Sequence, residues 1–354
     1  MLVENTTSFS GLGFEQWHRD GSTMAVVVAR GRYVVQPDGS LEAADRPDLI
    51  LSDVFEGGPQ DSDMLVASDL VPFKPATDVT YLGAIHAAEP SDAILAGIQI
   101  GDHVAVLRAV GERSWICDKD TWHLTKPDPI QQADLTYCLA SGGRHIGDPD
   151  GKVDPRNPIG PGLIDPDRTP KDTPIAAPRI DSAHVPVTED LAHPPAPQGF
   201  GPMPPWWRNR QQFAGTYDAD WQANRHPRLP KDFDYRFYNS APPALIQPGF
   251  LTGDEVIQTV GLCPGGERFD IRLPAQQPWA RFHFRDGREV QAVLSLDGVH
   301  LDFRVDKMRL DLTWRAWMEI CPSFYRVDLH HAPLSDIRDM ALPISRLHGL
   351  EEGV

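Results

Sequence analysis

The sequence predicts a mainly β protein with few helices, in which antiparallel, β-sandwich-like lobes are joined by a proline-rich extended crossing. Apolar and polar residues alternate over 280–320, and turn residues separate the apolar runs of the first 140 residues. Fifteen of the 34 prolines lie between Asp148 and Pro205. We therefore divide the chain into an N-terminal β lobe, the crossing and a C-terminal β lobe, at 1–147, 148–205 and 206–354.

The N-terminal lobe has the pattern of short strands. Apolar runs at Met24–Ala29 and Tyr33–Val35 precede an Asp38-Gly39 pair, which is typical of a turn. Residues 77–85 and 101–110 are rich in β-branched side chains and predict further strands.

The crossing cannot form a helix or a central strand, because proline fixes φ and lacks a backbone donor. It is not low-complexity, however, since apolar residues are spread through it. We expect an extended segment pinned across a folded surface rather than a free linker. The apolar residues are Ile159, Leu163, Ile164, Ile175, Ile180 and Val185.

The C-terminal lobe predicts an antiparallel meander. Asp286-Gly287 and Asp297-Gly298 lie between its apolar runs, where two-residue hairpin turns belong. A short helix is expected near Leu334–Leu347. The four predicted strands are 280–284, 289–295, 299–305 and 308–316.

Charge and cysteine usage bound the class of protein. The net charge of −17, from 33 basic and 50 acidic side chains, argues against broad binding to the phosphates of nucleic acid. The first residues lack the pattern of a signal peptide, and no apolar stretch is long enough to span a membrane, so we expect a cytoplasmic protein without membrane contact. Four reduced, buried thiols are expected at Cys117, Cys138, Cys263 and Cys321.

Catalytic and metal motifs are weak. The chain has no GxSxG elbow, Walker A sequence or HExxH, and Ser141 in "LASGGRHIG" belongs to a glycine-rich turn. His283 lies within an alternating strand, where a surface or hydrogen-bonded role is expected. Asp148, Asp150 and Asp154 surround a glycine but do not match an EF-hand loop, so a turn is expected and cation binding stays open.

One pair of carboxylates suggests a carbohydrate-related function. Asp218 and Asp220 lie beside Trp221, as in a sugar cleft where an aromatic ring stacks on the substrate and two acids cleave the bond. A carbohydrate-binding or glycoside-cleaving β protein is therefore the alternative hypothesis. Aspartate and arginine interleaved in one segment are also typical of a loop held by bidentate ion pairs.

The segment 206–238 contains nine aromatic and six basic residues, which are the ingredients of a single-strand nucleic-acid site. Its own aspartates and the acidic chain argue against that function. We expect Tyr217, Trp221, Phe233 and Phe237 to be core residues, held by Asp–Arg pairs.

The same region carries an ordered set of motifs. The chain has GFGPMP at 199–204, Trp207 with Arg210, AGTYDADW at 214–221 and RHPRLPKDFDYRFYNSAP at 225–242. This block resembles the hallmark of a bacterial domain-of-unknown-function family encoded beside type VI secretion genes. SDLVPFKPATDV at 68–79, GERSW at 111–115 and RNPIGPGL at 156–163 resemble further segments of that family.

The resemblance implies a non-enzymatic adaptor or chaperone that acts in the cytoplasm. It would bind a type VI effector, or its PAAR-like tip, and help to load it onto the VgrG spike. The resemblance implies no catalytic residue, cofactor or metal ligand. The motif residues, with structural or partner-contact roles, are Trp207, Arg210, Tyr217, Asp218, Trp221, Arg225, Asp232, Asp234, Arg236 and Asn239.

Overall fold

The structure is a computed structural model that describes residues 2–148, 150–304, 307–320 and 323–339. Within these ranges the chain is mainly β, as predicted. The strands of the first half are β1 Leu2–Asn5, β2 Ser10–Trp17, β3 Thr23–Val35, β4 Leu41–Ala43, β5 Val54–Phe55, β6 Met64–Val66, β7 Asp78–Leu82, β8 Ala84–Ser91, β9 Ala93–Ile100, β10 His103–Val110, β11 Ser114–Asp118, β12 Thr121–Leu124 and β13 Ile130–Asp134.

The second half adds nine strands and three short helices. The strands are β14 Ile175–Ala176, β15 Ile180–Ser182, β16 Val256–Val260, β17 Arg268–Arg272, β18 Gln276–Phe284, β19 Glu289–Val293, β20 Ser295–Asp302, β21 Arg309–Glu319 and β22 Phe324–Pro333. The helices are α1 Arg208–Gln211, α2 Ala219–Asn224 and α3 Leu334–Asp339. None of the described helices has the length and apolar character needed to cross a bilayer.

The largest sheet has the order β2-β3-β21-β20-β7, with β4 paired to β3. One of its inner strands, β3, has no exposed surface from Met24 to Ala29, so both faces of this stretch are buried. This explains why that stretch is a continuous apolar run rather than an alternating one. Strands β20 and β7 pair in parallel, and the other pairs are antiparallel.

Two other sheets complete the framework. One has the order β15-β10-β9-β16-β17 and the other β1-β22-β18-β19, beside the smaller sheets β12-β11-β14, β13-β8 and β5-β6. One continuous apolar cluster joins the three large sheets. Its members include Val27, Tyr81, Ile98, Phe282 and Leu312.

Strands from the two ends of the chain alternate within these sheets. β3 pairs with β21, β9 with β16, and β1 with β22. The predicted N-terminal and C-terminal lobes therefore share three sheets, and the boundaries at 147 and 205 do not separate one sheet from another.

The predicted meander needs one correction. Asp286-Gly287 lies in the β18–β19 hairpin turn as expected, within a loop of three residues rather than two, 285–287, in which Gly287 has a φ of 84°. Asp297-Gly298 is instead a β-bulge inside β20, where Asp297 is buried in an ion pair with Arg315. The meander is also divided, because β18 and β19 belong to one sheet while β20 and β21 belong to another.

The proline-rich crossing is pinned, as predicted. Its only strands among the described residues are β14 and β15, and Ile164 and Ile180 are buried. Asn157 has no exposed surface and donates hydrogen bonds to the carbonyls of Tyr137 and Ser141 at 2.8 and 3.0 Å. Val185 is the exception, because it is 63% exposed.

Two local predictions are met in part. Cys117, Cys138 and Cys263 are free thiols, as expected, but they are half-buried rather than buried. Cys321 lies outside the described residues. The helix expected near 334–347 is described as α3 over Leu334–Asp339, and the rest of that range lies outside the described residues.

A buried ionic cluster crosses the central pair of the largest sheet. Asp311 on β21 accepts from Arg32 at 2.7 Å and from Arg30 at 2.8 Å, and Arg30 also donates to Asp69 at 3.1 Å. Burial works to raise the pKa of Asp311, but the guanidiniums of Arg32 and Arg30 outweigh it and hold that pKa below the ordinary aspartate value.

We predict that Asp311→Asn lowers the free energy of unfolding at neutral pH by about 3–5 kcal/mol, because it leaves buried arginine charge without its carboxylate. Since the folded pKa of Asp311 is lowered, this contribution is present above the ordinary aspartate pKa and is lost as the pH falls through the folded pKa. The gap between wild type and variant should therefore close below about pH 4.

Urea unfolding at neutral pH and below about pH 4 measures the difference in free energy of unfolding between wild type and Asp311→Asn. Asp92→Asn is the control, because its partner Lys126 is 80% exposed, and it should change the free energy of unfolding by less than about 0.5 kcal/mol. An Asp311→Asn variant as stable as this control would contradict the assignment.

Candidate functional site

The block of family motifs at 199–243 covers one part of the largest sheet. It contains α1, α2 and a 3₁₀ turn at Tyr235–Tyr238, and a second 3₁₀ turn, Pro243–Leu245, begins at its last residue. Phe233 and Tyr235 are buried with Phe73, whose ring centroid lies 4.1 Å from that of Tyr235 and 5.4 Å from that of Trp317 on β21. An aromatic cluster therefore attaches the block to the sheet.

A buried carboxylate makes the second attachment. Asp78, at the start of β7, is 3% exposed and accepts from Lys74 Nζ at 2.8 Å. From the end of the block it accepts from Asn239 Nδ2 at 2.8 Å and from the backbone N–H and hydroxyl of Ser240 at 2.8 and 3.2 Å. A buried carboxylate needs hydrogen-bond donors in place of the water it has lost, so these contacts fix the position of the block on Asp78.

Trp207 and Arg210 hold the block from within. Trp207 is 1% exposed and packs edge-on against Tyr137 at a centroid distance of 5.0 Å. Arg210 is also buried, and it donates to the carbonyls of Phe237 and Met203 at 2.9 and 2.8 Å. Burial lowers the pKa of Arg210. Both residues are thus structural, and Arg210 ties the start of the block to its end.

The aspartates of the block form local turns. Asp218 caps α2 by accepting from the N–H of Trp221 at 2.9 Å. Asp232 accepts from the hydroxyl and N–H of Thr216 at 2.7 and 3.0 Å, and these bonds lower its pKa. Burial works to raise the pKa of Asp234, but bonds from Arg236 outweigh it and lower that pKa overall.

The predicted core of the block needs correction. Phe233 is buried, whereas Phe237 and Trp221 are half-buried and Tyr217 is 52% exposed. Tyr217 is exposed because it follows Gly215, at a φ of 77°, and precedes the cap of a helix whose six residues are all unburied. Of the expected Asp–Arg pairs within the block, only that of Asp234 with Arg236 forms, at 2.6 Å.

An open groove lies on the outer side of α2. Trp17, at the end of β2, is 41% exposed and faces the loop that follows the helix. Arg225 donates to the carbonyl of Leu229 at 2.7 Å and also to that of Arg19, which holds the loop against the turn after β2. The groove has a volume of about 340 Å³ and is lined by Trp17, Asn224, Arg225, His226, Pro227 and Arg228.

The carboxylates proposed for carbohydrate chemistry do not line this groove. Asp218 and Asp220 are exposed, as that hypothesis requires, but Asp218 is a helix cap and Asp220 accepts from Asn224 at 2.7 Å. The carbohydrate function remains a prediction.

Charged residues also line a cavity between the block and the largest sheet. Arg30, Asp69, Lys74, Asp78 and Arg315 face it, but its volume is only about 40 Å³. A water molecule occupies roughly 30 Å³ in the liquid, so this cavity is too small for a substrate.

The other candidate residues of the sequence form ion pairs within the fold. His283 is 7% exposed and lies 2.7 Å from Asp328 and 3.0 Å from Glu289, so it is satisfied as expected. Asp148 pairs with Arg168 and Asp154 with Arg156. No group of three or more His, Cys, Asp or Glu side chains that could hold a metal occurs among the described residues.

Sequence reasoning found the block but missed the residues that anchor it. The predicted site does not include Asp78, Lys74 or Ser240, although the segment SDLVPFKPATDV at 68–79 contains two of them. Trp17 and Arg228 were also missed, because nothing in the local pattern connects the end of β2 to a loop about 200 residues later.

The comparisons with known proteins agree with the motifs. Residues 20–315 match the model of DUF2169, a family described as an uncharacterized protein conserved in bacteria, and the chain belongs to that family. Neither the curated proteins nor the solved structures give a significant match.

We predict that motif residues differ sharply in their effect on stability. Asn239 is 2% exposed and donates to Ala76 O at 3.0 Å and to Asp78, so Asn239→Ala should lower the free energy of unfolding by about 2–4 kcal/mol. Tyr217→Ala should lower it by less than about 1 kcal/mol, because half of the side chain is already in water. Urea denaturation of both variants measures the difference, and equal losses would contradict this division.

Proposed function

We propose that this protein is a non-enzymatic adaptor or chaperone that binds another protein in the bacterial cytoplasm. Following the motif resemblance, the cargo is a type VI secretion effector or its PAAR-like tip, which the adaptor helps to load onto the VgrG spike. Family membership by itself supports a bacterial protein and leaves the link to secretion as our proposal.

The observation that carries the proposal is how the motif side chains are used. Asp78, Asn239 and Arg210 are directed into the fold, and each is held by internal partners. A catalytic site needs polar groups aimed at a space that a substrate can enter. The cavity that Arg30, Asp78 and Arg315 line holds only about 40 Å³.

The outward side of the block supports partner binding instead. It presents Trp17, Tyr217, Arg225 and Arg228 to solvent or to the open groove. Tryptophan, tyrosine and arginine are the residue types enriched at the energetic centres of protein interfaces. A rigid scaffold with an exposed aromatic and basic rim is suited to docking a partner.

The proposal predicts a stable complex with proteins of the secretion machinery. The full chain should be co-expressed in turn with the effector, the PAAR-like protein and the VgrG protein encoded nearest to its gene. We expect at least one of them to co-elute with it at a fixed ratio in size-exclusion chromatography with light scattering. The effector should also be more soluble with the chain than without it.

The control uses Asn239→Ala, a variant whose scaffold is weakened. The same partners are co-expressed with this variant, and the variant is then refolded at low temperature. Complex formation should track the fraction of folded adaptor. If the folded wild-type chain binds none of the three proteins and leaves effector solubility unchanged, the proposed function is wrong.

A further inference from the structure

We propose that the groove beside Trp17 is the docking site for an acidic, extended segment of the partner protein. The inference rests on the proposed adaptor function and deepens it, because it names the surface and the chemistry of the segment that binds there. A carboxylate of the segment would lie between Arg225 and Arg228, and a neighbouring apolar side chain would pack on the Trp17 ring.

The shape of the groove fits one or two side chains. It holds about 340 Å³ between the end of β2 and the loop after α2. Its floor is fixed on two sides, since Trp221 Nε1 donates to Arg228 O at 2.8 Å and Arg225 donates to Leu229 O at 2.7 Å. Fixed walls reduce the ordering cost of binding.

The arginines at the groove have no carboxylate of the described chain as an ion-pair partner. Within the described residues, no carboxylate lies within ion-pair distance of Arg19, Arg225 or Arg228. Some exposed arginines elsewhere in the chain do pair with nearby aspartates, at 2.6 Å for Arg236–Asp234, 2.8 Å for Arg268–Asp270 and 3.0 Å for Arg304–Asp302.

Two of the acidic side chains close to the groove in sequence are already engaged. Asp20 accepts from Ser22 N–H at 2.7 Å and lies 3.0 Å from His18, and Asp220 accepts from Asn224. The groove therefore presents arginine donors without local neutralisation. Carboxylate is the ligand that matches a guanidinium fork, and charge complementarity favours an acidic occupant.

The end of β2 favours an extended occupant. β2 lies at the edge of the largest sheet, next to β3. Its last three residues, Glu15, Gln16 and Trp17, are all exposed. Exposed edge strands are used to add a strand from a partner. A segment that runs along this edge would bring its end to the groove.

A single-stranded nucleic acid is the competing occupant, because it also offers anionic groups and rings. The chain as a whole repels a polyanion, whereas a short protein segment needs only a local basic surface. We therefore assign the groove to a protein segment, and the experiment below includes a nucleic acid as a rival ligand.

The test uses the full chain and two variants of the groove. Arg228→Glu reverses an exposed charge, and Trp17→Ala removes the exposed ring. The matched controls are Arg208→Glu, at an exposed position on α1, and Tyr325→Ala, whose ring on β22 is 44% exposed. All four variants should melt within a few degrees of wild type. If Arg228→Glu does not, Arg228→Gln replaces it.

Affinity for the partner found by co-elution is measured by isothermal titration calorimetry. We expect Arg228→Glu to weaken it at least 100-fold and Trp17→Ala at least tenfold, with the controls within about threefold. Replacing one acidic residue of the partner segment by lysine should restore binding to Arg228→Glu. If both groove variants bind as tightly as wild type, the docking site is wrong while the adaptor function stands.

A second measurement separates the two proposals when no secretion protein binds. The probe is a fluorescein-labelled octapeptide of alternating glutamate and phenylalanine, followed by anisotropy. Binding to wild type and the controls but not to Arg228→Glu supports the docking site even though the proposed function fails. No binding of this peptide, or tighter binding of a labelled 20-nucleotide single-stranded DNA, overturns the docking site.

Discussion

The fold around the motif block depends on one buried carboxylate. Asp78 is buried at the start of β7, and Lys74, Asn239 and Ser240 supply the hydrogen-bond donors that replace its lost hydration. These partners come from two parts of the chain about 160 residues apart, so satisfying Asp78 also fixes where the block lies. The aromatic packing of Phe73 on Tyr235 and the internal bonds of Arg210 follow from that placement.

Local signals predicted the local structure and failed where distant residues decide it. Asp38-Gly39 and Asp286-Gly287 form turns as expected, because their neighbours impose no other role. Asp297-Gly298 is the same dipeptide type, yet it forms a bulge since Arg315 on the next strand pairs with the carboxylate. The pairings of β3 with β21 and of β9 with β16 join both ends of the chain, and no local pattern encodes them.

The candidate site, too, could be predicted only in part from local sequence. Composition and motif order located the block, but they did not distinguish Phe233, which is 1% exposed, from Tyr217, which is 52% exposed. That difference arises from the sheet on which the block packs. The groove residues Trp17 and Arg228 come together only because the turn after β2 meets the loop after α2, so they carried no shared signal in the sequence.

Together these features divide the motif block into an inner face that is part of the fold and an outer rim that is free to bind. Native-state hydrogen exchange tests this division most directly. If Asp78 fixes the block, the amides of Met203 and Ser240, which donate to Ser240 O at 2.7 Å and to Asp78 at 2.8 Å, should open only with the core strand β3, within about 1 kcal/mol of global unfolding. Exchange of these two amides at loop-like rates, while β3 remains protected, would contradict the account.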